Sequence, residues 1–87
     1  MQSKANKVSK VLIIDDEEKI KTLLSKIISL EGFEVLQAGD VRSGLKKLET
    51  FDIDVVICDV KLPDGNGVET SKTIKEKYPS TEIILLT

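Results

Sequence analysis

The chain has 87 residues, 40% of them hydrophobic and 32% charged, with a formal net charge of −2. That length sets a ceiling of one domain, and that balance suits an ordinary globular protein rather than a disordered tail. Lys, Asp and Glu are mixed along the chain, so no basic block marks a nucleic-acid or membrane surface, and no window reaches the roughly 18 apolar residues of a membrane span.

Residues 1–9 read as a polar extension without the apolar core of a signal peptide. The single cysteine, Cys58, has no partner for an internal disulfide, and the chain has no His for a zinc site. All of this is compatible with the cytoplasm.

Residues 10–15, Lys-Val-Leu-Ile-Ile-Asp, form a continuous apolar run ending abruptly in acid. Such a run predicts a strand covered on both faces, as in a parallel sheet. The period then changes. Over 17–31, Ile20, Leu23, Leu24, Ile27 and Ile28 fall at helical spacing and make one apolar stripe, expected to be core, with Gly32 as the stop. Glu17 and Glu18 read as first-turn acids favoured by the helix dipole. Residues 34–38 predict a short second strand whose polar ends suit a sheet edge. Val41, Leu45 and Leu48 mark a second helix with Asp40 as N-cap.

A third strand, 53–59, is apolar and again ends in acid, at Asp59. The loop 61–67, Lys-Leu-Pro-Asp-Gly-Asn-Gly, is rich in turn residues, with Pro63 and Gly65 shaping it and Gly67 starting a helix or taking an unusual backbone angle. Val68, Ser71, Ile74 and Tyr78 follow one face of a third helix closed by Pro79. Residues 82–87, Glu-Ile-Ile-Leu-Leu-Thr, predict a fourth strand. Cys58, inside an apolar strand, reads as buried filler rather than a redox switch.

Strands alternating with helices predict an α/β fold with a parallel sheet. With the second strand at the edge, right-handed crossovers give the order 2-1-3-4. The first and third strands are then neighbours at the switch point where ligands bind in open α/β sheets. Strands lie about 4.8 Å apart, so Asp59 is expected beside Asp15 and Asp16. Two carboxylates ~5 Å apart repel by about 3 kcal/mol at an effective dielectric near 20. A divalent cation or a protonated carboxyl relieves that cost. An all-oxygen site with open positions suits Mg²⁺, which shares itself readily with phosphate oxygens and leaves one carboxylate as nucleophile toward phosphorus. Read one at a time, acids at strand ends are more often structural; the convergence of two acid-terminated strands is what points to chemistry.

The strings Val-Leu-Ile-Ile-Asp15-Asp16-Glu17, Val-Val-Ile-Cys-Asp59-Val-Lys-Leu-Pro63-Asp-Gly65-Asn-Gly67 and Ile-Ile-Leu-Leu-Thr87, in this order and spacing, resemble the receiver domain of bacterial two-component response regulators. The resemblance covers residues 10–87. It implies a flavodoxin-like doubly wound sheet and a phosphoryl group accepted on Asp59 from a partner histidine kinase, in signal transduction that controls transcription. It also implies Mg²⁺ held by Asp15, Asp16, Asp59 and the backbone carbonyl of Lys61. Thr87 would supply the hydroxyl that bonds the acyl phosphate, and the Lys61 side chain would tune its lifetime.

Receivers continue with a fourth helix, a fifth strand bearing a Lys, and a fifth helix, none of which lies in 10–87. Lys72, Lys75 and Lys77 on the third helix do not match that Lys by motif, and part of the stripe from Ile20 to Ile28 would face that fifth helix. The fourth strand is therefore expected to be an apolar edge that drives homodimerisation, domain swapping or marginal stability. No direct contact with nucleic acid or membrane is expected from this segment. Two other readings are an aspartate-nucleophile phosphohydrolase, whose nucleophile would lie on the first strand in an Asp-x-Asp pattern, and a dimerisation module independent of phosphorylation.

Overall fold

The computed structural model of the protein describes residues 8–87, so only Val8 and Ser9 of the expected extension fall within it. In chain order the elements are β1 (Lys10–Ile14), α1 (Glu18–Leu30), β2 (Glu34–Ala38), α2 (Val41–Thr50), β3 (Val55–Asp59), β4 (Lys61–Leu62), β5 (Gly65–Asn66), α3 (Gly67–Lys77) and β6 (Glu82–Leu86). Four strands pair in parallel in the order β2-β1-β3-β6, the 2-1-3-4 arrangement expected from the sequence. Ile14 stands between Ala38 and Cys58, and Asp59 stands opposite Leu86.

The apolar runs of β1 and β3 form the centre of the sheet; β1 is buried on both faces, while in β3 Val56 and Cys58 are buried and Val55 and Ile57 on the other face are half-buried. Val11, Leu12, Ile13 and Ile14 are all buried. Leu12, Ile14, Val56 and Cys58 point to one side and pack with Leu48 of α2 and Ile74 of α3 into the main core. α2 begins as expected: the Asp40 carboxylate accepts from the Ser43 amide at 2.8 Å. α1 ends at Gly32, whose φ of +97° is accessible to glycine with little strain.

Two expectations about helix faces are corrected. In α3 the buried positions are Gly67, Thr70 and Ile74, while Val68 is 40% exposed. Thr70 takes the inward place because its hydroxyl donates to the Asn66 carbonyl at 2.8 Å, so no polar group is stranded. In α1 the stripe is core only in part: Ile20, Leu24 and Ile28 are half-buried, Leu23 is 56% exposed and Ile27 51%, and the fully buried residue is Lys21. α1 rests on β2 and β1, and Gln37 of β2 donates to the Ser25 hydroxyl at 2.6 Å. Leu23 lines a groove beside Asp59 and Leu86, over the β3–β6 half of the sheet; α3 packs on those two strands. Leaving two such side chains half exposed forgoes about half of the roughly 1.5–3 kcal/mol that full burial of each would contribute. β6 shares this exposure: Ile84 is 51% and Leu85 37% exposed on an edge strand.

The loop after β3 is more ordered than its turn residues suggested. β4 and β5 form a small antiparallel ladder, Lys61 opposite Asn66 and Leu62 opposite Gly65, closed by Pro63 and Asp64. A two-residue strand carries no periodic signal, so composition could not disclose it. Among the described residues no helix is long and apolar enough to cross a membrane.

Candidate functional site

The carboxyl ends of β1 and β3 lie side by side, and each carries an acid. Asp15 continues the β1 line by one residue, its amide donating to the Ala38 carbonyl at 3.0 Å. Its Oδ1 accepts from the Glu17 amide at 2.8 Å, which fixes the carboxylate and starts the turn into α1. Asp15 is buried, at 4% exposure, Asp59 is half-buried and Asp16 is exposed. One carboxylate oxygen from each of Asp15, Asp16 and Asp59 lies within 4.8 Å of the others.

This donor set fits a hard cation. Octahedral Mg²⁺ holds oxygens at about 2.0–2.1 Å, which puts neighbouring ligand oxygens roughly 3 Å apart and opposite ones roughly 4 Å apart. Separations within 4.8 Å therefore need only small side-chain adjustments. The exposure of Asp16 leaves room for the waters that Mg²⁺ retains.

Beside the cluster runs a groove of about 370 Å³ lined by Asp15, Glu17, Ile20, Leu23, Leu24, Asp59, Leu86 and Thr87. Thr87 follows β6 directly and lines the same groove as Asp59. Lys61 lies two residues past Asp59 in β4; its amide approaches Asp59 Oδ1 at 3.4 Å, and its side chain is exposed. Glu17, read from sequence as a helix-dipole acid, also lines the groove.

Cys58 lies in the core beside the cluster. Burial pushes its thiol up to about 11, and the charges of Asp59 and Asp15 add to that. It stays a neutral thiol near neutral pH, in keeping with its reading as filler. Lys75 is also structural: its ammonium donates to the carbonyls of Pro79 at 3.0 Å and Thr81 at 2.9 Å.

Two loop residues escaped the sequence reading. Asn66 accepts from the Val68 amide at 2.7 Å and the Glu69 amide at 3.3 Å, capping α3. An Asn one residue ahead of a helix is a local signal that could have found it. Asp64 bonds the start of α2, far away in the chain, and no local signal could have disclosed that.

A parallel α/β sheet with three carboxylates gathered at neighbouring strand tips defines an oxygen-donor site at its switch point. The family model for the response regulator receiver domain matches residues 11–87, and the chain belongs to that family. It is 38% identical over 78 residues to the alkaline phosphatase synthesis transcriptional regulatory protein PhoP of Bacillus subtilis, an alignment covering 90% of this chain and 32% of that protein. It is similar to the response regulator TrrA of Thermotoga maritima in complex with Mg²⁺-BeF, with a TM-score of 0.87 and 35% identity, covering 92% of this chain and 70% of that one. It is also similar to the beryllofluoride-activated NtrC4 receiver domain dimer, with a TM-score of 0.83 and 38% identity, covering 87% of this chain and 63% of that one. The chain thus spans about a third of the length of PhoP.

Proposed function

We propose that Asp59 accepts a phosphoryl group from a phosphohistidine on a partner sensor kinase, within a receiver module of which Lys10 through Thr87 are a part. The observation that carries this reading is the gathering of the Asp15, Asp16 and Asp59 oxygens within 4.8 Å at two adjacent strand tips. In the transfer, a carboxylate oxygen of Asp59 attacks phosphorus in line as the phosphorus–nitrogen bond breaks. The electron pair stays with the imidazole of the kinase, which takes up a proton, and the product is an acyl phosphate.

Asp15, Asp16 and Asp59, with the Lys61 carbonyl, are the residues assigned to Mg²⁺. When bound, the ion supplies charge neutralisation for the oxygens of the transferred group. The Glu17 amide orients Asp15 for this task. The Thr87 hydroxyl, in the groove with Asp59, donates to an oxygen of the acyl phosphate. The Lys61 side chain stands by the path of hydrolytic water and tunes the lifetime of the product.

The module works in the cytoplasm, where its kinase partner presents phosphohistidine, and its output is control of transcription. That last step draws on PhoP, a transcriptional regulatory protein of which this chain matches about a third. Homodimerisation is a further part of the reading, supported by the exposed Ile84 and Leu85 of the edge strand β6 and by the dimeric NtrC4 receiver.

The test is incubation with a small phosphodonor such as acetyl phosphate, followed by the mass of the intact protein. One phosphoryl group per chain is expected with MgCl₂, and none with EDTA or in Asp59→Asn. Equal labelling of Asp59→Asn would refute the assignment.

A further inference from the structure

Asp64, at the tip of the β4–β5 hairpin, makes two long-range bonds. Its Oδ1 accepts from the Val41 amide at 2.8 Å and its Oδ2 from the Arg42 amide at 3.1 Å. These are the first two amides of α2, which the helix itself cannot satisfy. α2 already has its own cap in Asp40, which takes the Ser43 amide. Asp64 is therefore a second, distant cap, and both of its oxygens are committed to it. A carboxylate suits this place twice over: it offers two acceptors, and its charge faces the positive end of the helix dipole.

The consequence falls on the hairpin as much as on the helix. Gly65, beside Asp64, packs so closely on Val41 that a Cβ there would stand 3.0 Å from Val41 Cγ2. At the far end, Asn66 anchors β5 to α3. At the near end, Lys61 follows Asp59 by two residues, and its amide faces Asp59 Oδ1. The segment from Asp59 to Gly67 is thus held at both ends, with one fastening to α2 in the middle.

We propose that Asp64 is a positioning residue for the acidic site. By pinning the β4–β5 hairpin to the start of α2, it fixes the backbone of Lys61 against Asp59 and so sets cation affinity and the lifetime of the acyl phosphate. This rests on the reading of Asp15, Asp16 and Asp59 as a Mg²⁺ and phosphoacceptor site. Asp64 is exposed, so its removal takes no side chain from the core.

The experiment is calorimetric titration of the 87-residue chain with MgCl₂, for wild type, Asp64→Ala, Asp64→Asn and Asp40→Ala, with thermal unfolding of each. Asp40→Ala is the control: it removes the local cap of α2 without touching the hairpin. Asp64→Ala is expected to bind Mg²⁺ about tenfold more weakly, the low end for loss of a group that orients a metal ligand. Asp64→Asn, which keeps one acceptor oxygen, recovers part of that loss. Asp40→Ala lowers the unfolding temperature but keeps wild-type affinity. Unchanged affinity in Asp64→Ala, or an equal loss in Asp40→Ala, overturns the proposal while the acidic site stands. A wild type that binds no Mg²⁺ overturns the reading of the acidic site and this inference with it.

Discussion

Gly67 is pressed against the backbone of Asp59. A Cβ at position 67 would overlap the Asp59 carbonyl oxygen and stand 2.9 Å from Cα of Val60. The Gly67 amide donates to the Val60 carbonyl at 2.7 Å, so the loop folds back on the residue that carries the carboxylate. The obstacle is backbone rather than a flexible side chain, and it cannot step aside without moving Asp59. Gly67→Ala is therefore expected to destabilise the protein by roughly 1–3 kcal/mol, the usual cost of overpacking. Urea unfolding measures this, and a change below about 0.5 kcal/mol would show that the loop has slack.

Cys58 should resist alkylation. Burial, then the charges of Asp59 and Asp15, hold its thiol at about 11 against an ordinary value of 9.0. Since the thiolate is the nucleophile, iodoacetamide near neutral pH should label the folded protein much more slowly than the chain in urea. The raised value means that this contribution to stability is present below pH 9 and is lost as pH rises from 9 through 11. Rapid labelling of the folded protein near neutral pH would contradict this.

The cap of α2 gives the opposite dependence. The Ser43 hydroxyl and amide, and to a smaller extent the charge of Arg42, hold the Asp40 carboxyl below its ordinary 3.8. Its contribution is therefore complete above pH 3.8 and disappears as pH falls through the lower, folded-state value. Asp40→Asn keeps an acceptor oxygen but does not titrate. Urea midpoints at neutral pH and near pH 3 should fall less in Asp40→Asn than in wild type.

The open side of the sheet predicts association. Ile84, 51% exposed on the edge strand β6, lies in a strand whose outer backbone groups can pair with another chain. Sedimentation of the 87-residue chain should show a mass above that of the monomer that rises with concentration. Ile84→Lys should move it toward the monomer while leaving the circular dichroism spectrum unchanged. An ideal monomer for the wild type at high concentration would count against this surface.

The order of the long elements was legible because each has one dominant signal. The unbroken apolar runs of β1 and β3 required a two-faced strand, and their terminal acids required a shared end once those strands were adjacent. The faces of α1 and α3 were legible only in part for a common reason: periodicity gives the direction of a stripe but not what covers it. Leu23 and Ile27 fit a helical stripe perfectly well and still face open space, because α1 sits over β1 and β2. Thr70 is buried because of a hydrogen bond to Asn66 that a hydropathy pattern does not record. Asp64 was invisible for a third reason, that its partners at Val41 and Arg42 belong to another element.

In the proposed transfer the carboxylate at the end of β3, and not either of its two neighbours at the end of β1, forms the bond to phosphorus. Borohydride reduces an acyl phosphate on Asp to homoserine, which marks the modified residue permanently. After treatment with acetyl phosphate and MgCl₂, reduction and peptide sequencing should place homoserine at position 59. Homoserine at position 15 or 16 instead would contradict the account and favour a phosphohydrolase-like use of the first strand.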